Sequence, residues 1–140
     1  MASLADQNKT IARNWFDLVS AGEVEEICRL TAPTWTMHGG PPNLPSGHAG
    51  VRELFRFVGS VEQQWTIDDM IAEDDKVAVR ATCTCTQDSF LGIDGRGKQQ
   101  VFAAIFIHRI TGGLIQETWR SANDLGRVFQ LGARLVTGEG

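Results

Sequence analysis

The sequence predicts an α+β domain in which helices come first and an antiparallel sheet follows. Apolar residues recur at helical spacing in the first part of the chain, whereas the second part holds four long runs rich in Val, Ile, Thr and aromatic residues. Only short turn-type segments separate most of these runs, as in antiparallel hairpins. Helices followed by a meander of strands are typical of α+β domains. We expect a strongly bent sheet with helices on one face, enclosing a cavity.

The first helix is predicted over residues 6–20. Ile11, Trp15 and Leu18 recur there at helical spacing and give the segment an apolar side. Gly22 follows, and glycine is the residue type that most readily ends a helix. We therefore expect an amphipathic helix that ends at Gly22.

A short second helix and a first strand are predicted next. Val24, Ile27 and Cys28 fall on one side of the helix, and Pro33 is expected to close it. Residues 34–38 are rich in β-forming types and predict a short strand.

An irregular loop and a third helix complete the first part. The loop begins with Gly-Gly-Pro-Pro at residues 39–42, where the prolines donate no backbone hydrogen bond. Ser46 is a suitable N-cap for a helix whose apolar side carries Val51, Leu54 and Val58.

Four strands are predicted in the second part. The runs are "WTIDDMIAE", "KVAVRATCTCTQ", "QQVFAAIFIHRI" and "LIQETWRSAND", separated by "DD", "SFLGIDGRGK" and "TGG". The last segment, "LGRVFQLGARL", fits either a helical turn or a closing strand. No repeat, linker or low-complexity tract interrupts the chain, so one domain over residues 1–140 is expected.

Composition and charge exclude several function classes. The formal net charge is −4 and the basic residues form no cluster, which argues against nucleic acid as a partner. The N-terminus lacks the pattern of a signal peptide, and no apolar run is long enough to span a bilayer. The three cysteines predict reduced thiols in the cytoplasm. Cys83 and Cys85 share a strand face, but no second Cys/His pair accompanies them, so a metal site is disfavoured.

Four segments, taken in order, resemble the SnoaL-like polyketide cyclases of the NTF2-like superfamily. They are "MHGGPPNLPSGHAGVRELF", "DMIAEDDKVAVRATCTCT", "FLGIDGRGK" and "IFIHRITGGLIQETWRSANDLGRVFQLG". The resemblance covers residues 6–133. It implies a cone-shaped α+β fold with a curved antiparallel sheet, about three helices in the N-terminal half, and an apolar pocket inside.

The resemblance also implies a class of chemistry. Characterised cyclases of this family close aromatic polyketide rings by intramolecular aldol condensation without a metal or an organic cofactor, and a related branch hydroxylates similar polycyclic substrates. The partner expected for this chain is therefore a small hydrophobic, aromatic or polyketide-like compound, with no cofactor, no nucleic acid and no membrane.

The resemblance places the acid of the family four residues beyond Trp119, at Asn123, where this sequence carries an amide. It places the partner on the preceding strand at Arg109. Hairpin parity independently groups odd-numbered residues of the two strands on one face. We predict that this face looks into the pocket, with the substrate contacted by Trp119, Ser121, Ile105 and Ile107, and with Trp35, Trp15 and Phe16 in an aromatic wall. Core packing is the other reading of Trp15 and Phe16.

Two residues, Asp124 and His38, are candidates for the missing base. Asp124 points away from the predicted pocket face unless a bulge turns it inward. His38 is either a base beside the pocket or a histidine held by loop carbonyls. Asn123 either orients a ligand or caps the turn that follows it. Arg109 is either a ligand anchor or the ion-pair partner of Glu117.

These residues leave three function hypotheses open. The first is a cofactor-independent enzyme, a cyclase, isomerase or hydroxylase, that acts on a hydrophobic carbonyl compound and diverges at the acid position. The second is a non-catalytic domain that binds a small ligand. The third is association into a homodimer through the outer sheet face, predicted to carry Phe102, Phe106, His108, Thr118 and Arg120; this is compatible with the other two.

Overall fold

The structure, a computed structural model, describes residues 2–138. Its helices are α1 (Leu4–Ala21), α2 (Val24–Leu30), α3 (Gly47–Val58) and α4 (Asp124–Gln130). The three helices predicted in the first part are present. The segment after the last long strand, for which a helical turn and a strand were both open, forms α4.

Five long strands form one curved, mixed sheet. They are β1 (Thr31–His38), β2 (Val61–Glu73), β3 (Lys76–Gln87), β6 (Gln100–Thr111) and β7 (Leu114–Ala122), while β4 (Ser89–Phe90) and β5 (Ile93–Asp94) form a separate small hairpin. The strand order is β1-β7-β6-β3-β2. All neighbours are antiparallel except β1, which runs parallel to β7. The predicted α+β architecture is confirmed, but the sheet is mixed and not purely antiparallel as predicted, because β1 pairs with β7 in parallel.

The first strand differs from its prediction. It begins at Thr31, and Pro33 lies within it instead of closing the helix before it. β1 is an edge strand, and its register with β7 shifts between Thr31 and Thr36. Proline is tolerated at such a position because an edge strand leaves some N–H groups without a ladder partner.

Helix α1 covers one face of the sheet. The side chain of Ser3 accepts a hydrogen bond from the backbone N–H of Asp6 at 3.1 Å and caps the start of the helix. Gly22 ends it with a φ of 71°, in the left-handed conformation that glycine adopts without strain. The apolar side of the helix buries Trp15 and Phe16 against the sheet.

Burial along β3 and β6 shows which face of the sheet is internal. In β3 the odd-numbered residues from Val77 to Cys85 are buried, whereas in β6 the even-numbered residues from Phe102 to Ile110 are buried. The register joins the two sets, since Val79 lies opposite Phe106. The internal face of β6 is therefore the even-numbered one.

This result corrects the predicted orientation of β6 and β7. The pairing itself was right, since Ile107 lies opposite Trp119 and Ile105 opposite Ser121. That face is nevertheless external, and the side chain of Ile105 is 52% exposed. The physical reason is the space under α1, which the large ring of Phe106 fills by packing 5.1 Å from the ring of Phe16.

The predicted dimer surface was wrong for the same reason. Phe102, Phe106, His108 and Thr118 are all buried inside the molecule. Arg120 also points inward. None of these residues is available on the outer face.

No helix in residues 2–138 is both long and apolar enough to cross a membrane.

Candidate functional site

A cavity of about 740 Å³ lies between the internal face of the sheet and the helices; we call it the central cavity. One wall is the sheet face itself, and α1, α3 and the β4–β5 hairpin supply the others. The lining is mostly apolar, with aromatic rings contributed by Trp15, Phe55, Phe57, Trp65, Phe90, Phe102 and Phe106. A cavity of this size and character suits a flat, hydrophobic small molecule.

Charged side chains gather at one end of the central cavity, where β7 passes into α4. Arg120 lies near the end of β7, and Asp124 and Arg127 lie on α4. The guanidinium of Arg120 donates two hydrogen bonds to the carboxylate of Asp124, at 2.9 and 2.8 Å. Nη1 of Arg127 donates a longer one to the same carboxylate, at 3.5 Å. We call these three residues the charged end of the cavity.

Arg127 is fixed in place by its surroundings. Its Nε donates to the side-chain carbonyl of Gln100 at 2.9 Å, and its Nη2 donates to that of Gln87. The guanidinium lies 3.5 Å from the ring centre of Phe90 and 4.3 Å from that of Phe102. These contacts also attach the β4–β5 hairpin to α4, so Arg127 shapes the cavity as well as charging it.

The carboxylate of Asp124 is held in its ionised form. Burial alone would raise the pKa of Asp124, but the hydrogen bonds and positive charge of Arg120, with those of Arg127, outweigh it and lower the pKa below the ordinary value. Asp124 is therefore an anion at neutral pH, and the two arginines weaken its basicity.

Cys83 and Cys85 line the cavity beside the charged end. A hydrogen bond from Cys83 and the positive charge of Arg127 lower the pKa of the Cys85 thiol to about 7, although burial opposes them. The hydrogen bond with Cys85, together with burial, raises the pKa of Cys83. Both thiols are free, and residues 2–138 contain no group of three side chains placed to bind a metal.

A buried polar chain lies behind the apolar wall. Nε1 of Trp35 donates to the hydroxyl of Thr118 at 3.0 Å, and that hydroxyl lies 2.8 Å from Nδ1 of His108. His108 is completely buried, contrary to the prediction that it lies on the outer face. Burial lowers its pKa to about 3, so the imidazole is neutral.

Most of the predicted contact residues lie outside the central cavity. Trp119, Ser121, Ile105 and Ile107 belong to the outer sheet face, for the reason given above. Asn123 is exposed and caps α4, since its side-chain oxygen accepts the N–H of Gly126 at 2.9 Å. Of the two roles predicted for Asn123, orienting a ligand or capping the turn that follows it, the structure shows the cap.

His38 and Arg109 also lie on the outer face. Nε2 of His38 donates to Glu117 at 2.6 Å, and its ring stacks on Trp119 with 5.3 Å between ring centres. Arg109 donates to the other oxygen of Glu117 at 3.3 Å, so the ion pair that was one reading of Arg109 is present. Neither His38 nor Arg109 reaches the cavity.

Two predicted wall residues are core residues instead. Trp35 and Phe16 are each 1% exposed, and neither lines the cavity. For Phe16 this is the core-packing reading.

Of the residues predicted for the pocket, Trp15 and Asp124 line the cavity. Asp124 reaches it without the bulge in β7 that the sequence left open. β7 ends at Ala122 and Asn123 caps the helix, so strand alternation stops before Asp124 is reached. As the first residue of α4, Asp124 turns back towards Arg120, four positions earlier on the inward face.

The sequence reasoning missed Arg120 and Arg127, yet a signal for Arg120 was present. In the β3 run the odd positions from Val77 to Cys85 are apolar and the even ones include Arg80, Thr82 and Thr84, which marks the odd face as internal. Combined with the β3–β6–β7 register, that alternation places Arg120 inside.

Comparison with known proteins assigns the chain to a domain family by its sequence. The sequence model of the SnoaL-like domain family matches residues 12–118. None of the curated proteins compared by sequence matches significantly.

Among solved structures, TsrD from Streptomyces laurentii is 25% identical with a TM-score of 0.82, over 96% of this chain and all of its own. IdmH from Streptomyces antibioticus, provisionally assigned as a polyketide cyclase, is 22% identical with a TM-score of 0.75, over 91% and 99%. AclR from Streptomyces galilaeus, provisionally assigned as a hydroxylase, is 20% identical with a TM-score of 0.78, over 91% and 97%. IdmH and AclR share the fold.

Proposed function

The chain belongs to the SnoaL-like domain family, and from this premise we propose that it is a cofactor-independent enzyme that acts on a hydrophobic, polyketide-type carbonyl compound. The reaction begins with removal of a proton from the carbon next to the carbonyl. The observation that carries this proposal is the Arg120–Asp124 pair at one end of an otherwise apolar cavity. The provisional assignments of IdmH and AclR support the substrate class and the range of reactions, cyclisation or hydroxylation.

The pair supplies both groups that such a proton transfer needs. The carboxylate of Asp124 takes the proton, and the C–H electron pair becomes the C=C bond of an enolate. The negative charge thereby moves from Asp124 to the substrate oxygen. Arg120, which is hydrogen-bonded to Asp124, stabilises the charge on the carboxylate before the transfer and, in this proposal, the charge on the substrate oxygen after it. In a cyclisation the enolate carbon then attacks a second carbonyl, and the oxygen of that carbonyl takes the proton back from Asp124. In an isomerisation of a conjugated substrate, Asp124 returns the proton to a different carbon of the enolate.

A non-catalytic binding domain is the second candidate, and one observation favours it. Both oxygens of Asp124 already accept hydrogen bonds from Arg120, and Arg127 adds a third. A carboxylate held this firmly is a weak base. In this reading the charged end only orients a ligand and attaches α4 to the sheet.

Exchange of carbon-bound hydrogen distinguishes the two candidates without knowledge of the natural substrate. The probe is 1-tetralone, a flat aromatic ketone, incubated with the protein in D₂O and followed by proton NMR at its α-carbon. The enzyme proposal predicts exchange faster than in buffer, and loss of that acceleration in Asp124→Asn with the ketone still bound. Asp74→Asn is the matched control, because Asp74 lies in the exposed β2–β3 turn with a φ of 53°, which asparagine also adopts. Binding without faster exchange would favour the binding domain.

We also propose that two copies associate through the outer sheet face. Val101 and Ile105 on β6 are 49% and 52% exposed, and β3 and β7 flank them on either side. Aliphatic side chains exposed in the middle of a sheet are typical of a face that a second copy covers.

The three free thiols support a reducing compartment, the cytoplasm.

A further inference from the structure

We propose that the charged end of the cavity binds a carboxylate on an aromatic ligand, so that the natural substrate is a monoanion. This deepens the proposed function and rests on it, since the same cavity holds the ligand. It names a substrate class that an apolar cavity alone would not select.

The charges that line the cavity carry the inference. Among its described lining residues, Arg120 and Arg127 are the only cationic side chains and Asp124 is the only carboxylate. Two positive charges thus share one negative charge, and one positive charge remains. In a partly dry cavity such an excess attracts an anion much more strongly than it would in water.

The excess charge sits in a fixed position. Arg127 is 7% exposed and lies between the rings of Phe90 and Phe102, with its Nε held by Gln100. A buried charge without a full counter-charge is costly, so the binding of an anion beside Arg127 would offset part of that cost. Because the guanidinium is already immobilised, little entropy is lost when an anion binds beside it.

Arg120 presents the second cation to the interior. Its side chain is 16% exposed and lines the cavity, with one Nη1 contact to the carbonyl of Gly39 at 3.2 Å and the rest directed to Asp124. A ligand carboxylate placed here shares Arg120 with Asp124. Guanidinium groups suit carboxylates because they offer paired N–H donors in one plane.

The positive charge of Arg127 also acts on the thiol of Cys85, which lines the cavity nearby. Besides the hydrogen bond from Cys83, the positive charge of Arg127 contributes to the low pKa of Cys85. Because a Cys85 thiolate would offset part of the excess charge, the binding test belongs at pH 6, where this thiol is protonated and a carboxylate ligand is still ionised.

The test compares two ligands of the same shape and different charge, 2-naphthoate and 2-naphthamide, by isothermal titration calorimetry at pH 6. We expect the wild-type protein to bind the naphthoate about tenfold more tightly than the amide, as for hydrogen bonds to a charged partner. Equal affinities, or tighter binding of the amide, would overturn the proposal.

Two variants then change the charge in opposite directions. Arg120→Gln removes the excess and is expected to weaken naphthoate binding about tenfold, whereas Asp124→Asn doubles the excess and is expected to strengthen it severalfold. Binding of the amide should change little in either variant. The matched controls are Arg29→Gln and Asp74→Asn, which change the net charge equally at exposed sites.

A purely structural role of the charged end predicts a different pattern. Both variants would then weaken both ligands alike, and that result would overturn the proposal. The outcome is separable from the proposed function. If 1-tetralone undergoes catalysed exchange while the naphthoate shows no preference, the anion site fails and the enzyme proposal stands; if no aromatic compound binds at all, both fail.

Discussion

Arg120 and Asp124, four residues apart across the junction of β7 and α4, join through two hydrogen bonds of 2.9 and 2.8 Å inside the central cavity. The pair links the end of the sheet to the first turn of the last helix. It also places a carboxylate in the cavity, one residue beyond Asn123, the position that the resemblance gives to the family's acid. One contact therefore serves both the fold and the candidate chemistry.

Breaking this pair is expected to lower stability. Asp124→Asn leaves Arg120 and Arg127 without their shared counter-charge, and we expect the free energy of unfolding to fall by about 1–2 kcal/mol, a value reduced because the carboxylate is about one-third exposed. Urea denaturation at pH 7 measures it. Combining the change with Arg120→Gln should give a coupling energy of about 1 kcal/mol. Additive effects of the two single changes would show that the observed contact contributes nothing to stability.

Acid should destabilise the protein through His108. Burial depresses the pKa of this imidazole to about 3, so between pH 6.5 and 3 the unfolded chain binds a proton that the folded chain does not. The unfolded state then binds more protons, and the free energy of unfolding falls as the pH is lowered, by about 1.4 kcal/mol per pH unit for one full proton.

The measurement for His108 is urea denaturation at a series of pH values from 7 to 4. The variant His108→Gln should lose that part of the slope, because glutamine does not titrate, whatever its effect on stability at pH 7. The same slope in the variant and the wild-type protein would contradict a buried, neutral His108.

The loop that starts at Gly39 should tolerate no side chain at that glycine. A Cβ built at Gly39 lies 1.9 Å from the backbone oxygen of Arg120, and the φ of Gly39 is 84°. Gly22 has a similar φ of 71°, but nothing lies within 4 Å of its Cβ position. We expect Gly39→Ala to cost about 3 kcal/mol or more and Gly22→Ala about 1–2 kcal/mol, since only the first adds a steric clash to the backbone strain. Thermal or urea unfolding of the two variants compares them directly, and equal losses would rule out the close approach of the loop to β7.

Association through the outer face is tested at Ile105. In Ile105→Glu a charge replaces an aliphatic side chain in the middle of the face, so we expect the dimer to dissociate while the monomer stays folded. Leu4→Glu is the matched control, because Leu4 is 60% exposed at the start of α1. Sedimentation velocity should show a dimer for the wild-type protein and the control, and a monomer for Ile105→Glu. A monomeric wild-type protein, or a dimeric Ile105→Glu, would contradict the proposed interface.

The sequence was sufficient for the first three helices, for the four long strands of the second part and for their antiparallel pairing. Helical spacing around Trp15 and the period-two runs correspond to α1 and the long strands, because both patterns follow from backbone geometry. Parity across the "TGG" turn correctly paired Ile107 with Trp119. Pairing alone, however, does not decide which face a helix covers.

The choice of face failed because β6 is apolar on both sides. Ile105 and Ile107 alternate with Phe102 and Phe106, so hydrophobicity does not separate the two faces of this strand. The deciding information lay in β3, two strands from β7 in the sheet, where only one face is apolar.

The charged end was harder to foresee. Its position depends on the residue at which β7 ends and α4 begins, and element boundaries are the least certain feature of a sequence-based prediction. Because β7 ends at Ala122, Asn123 caps α4 and does not face the cavity. Asp124, which strand alternation would point away from the cavity, is the first residue of α4 and lines it.

A crystal structure with 1-tetralone bound tests the central claim most directly, through the distances from the ketone oxygen to Arg120 and from its α-carbon to Asp124. The account predicts the ring between the apolar walls, with the oxygen within hydrogen-bond reach of Arg120 and the α-carbon beside the carboxylate. A ketone bound on the outer face beside Trp119 and His38, or inside the cavity with its oxygen turned away from the charged end, would contradict it.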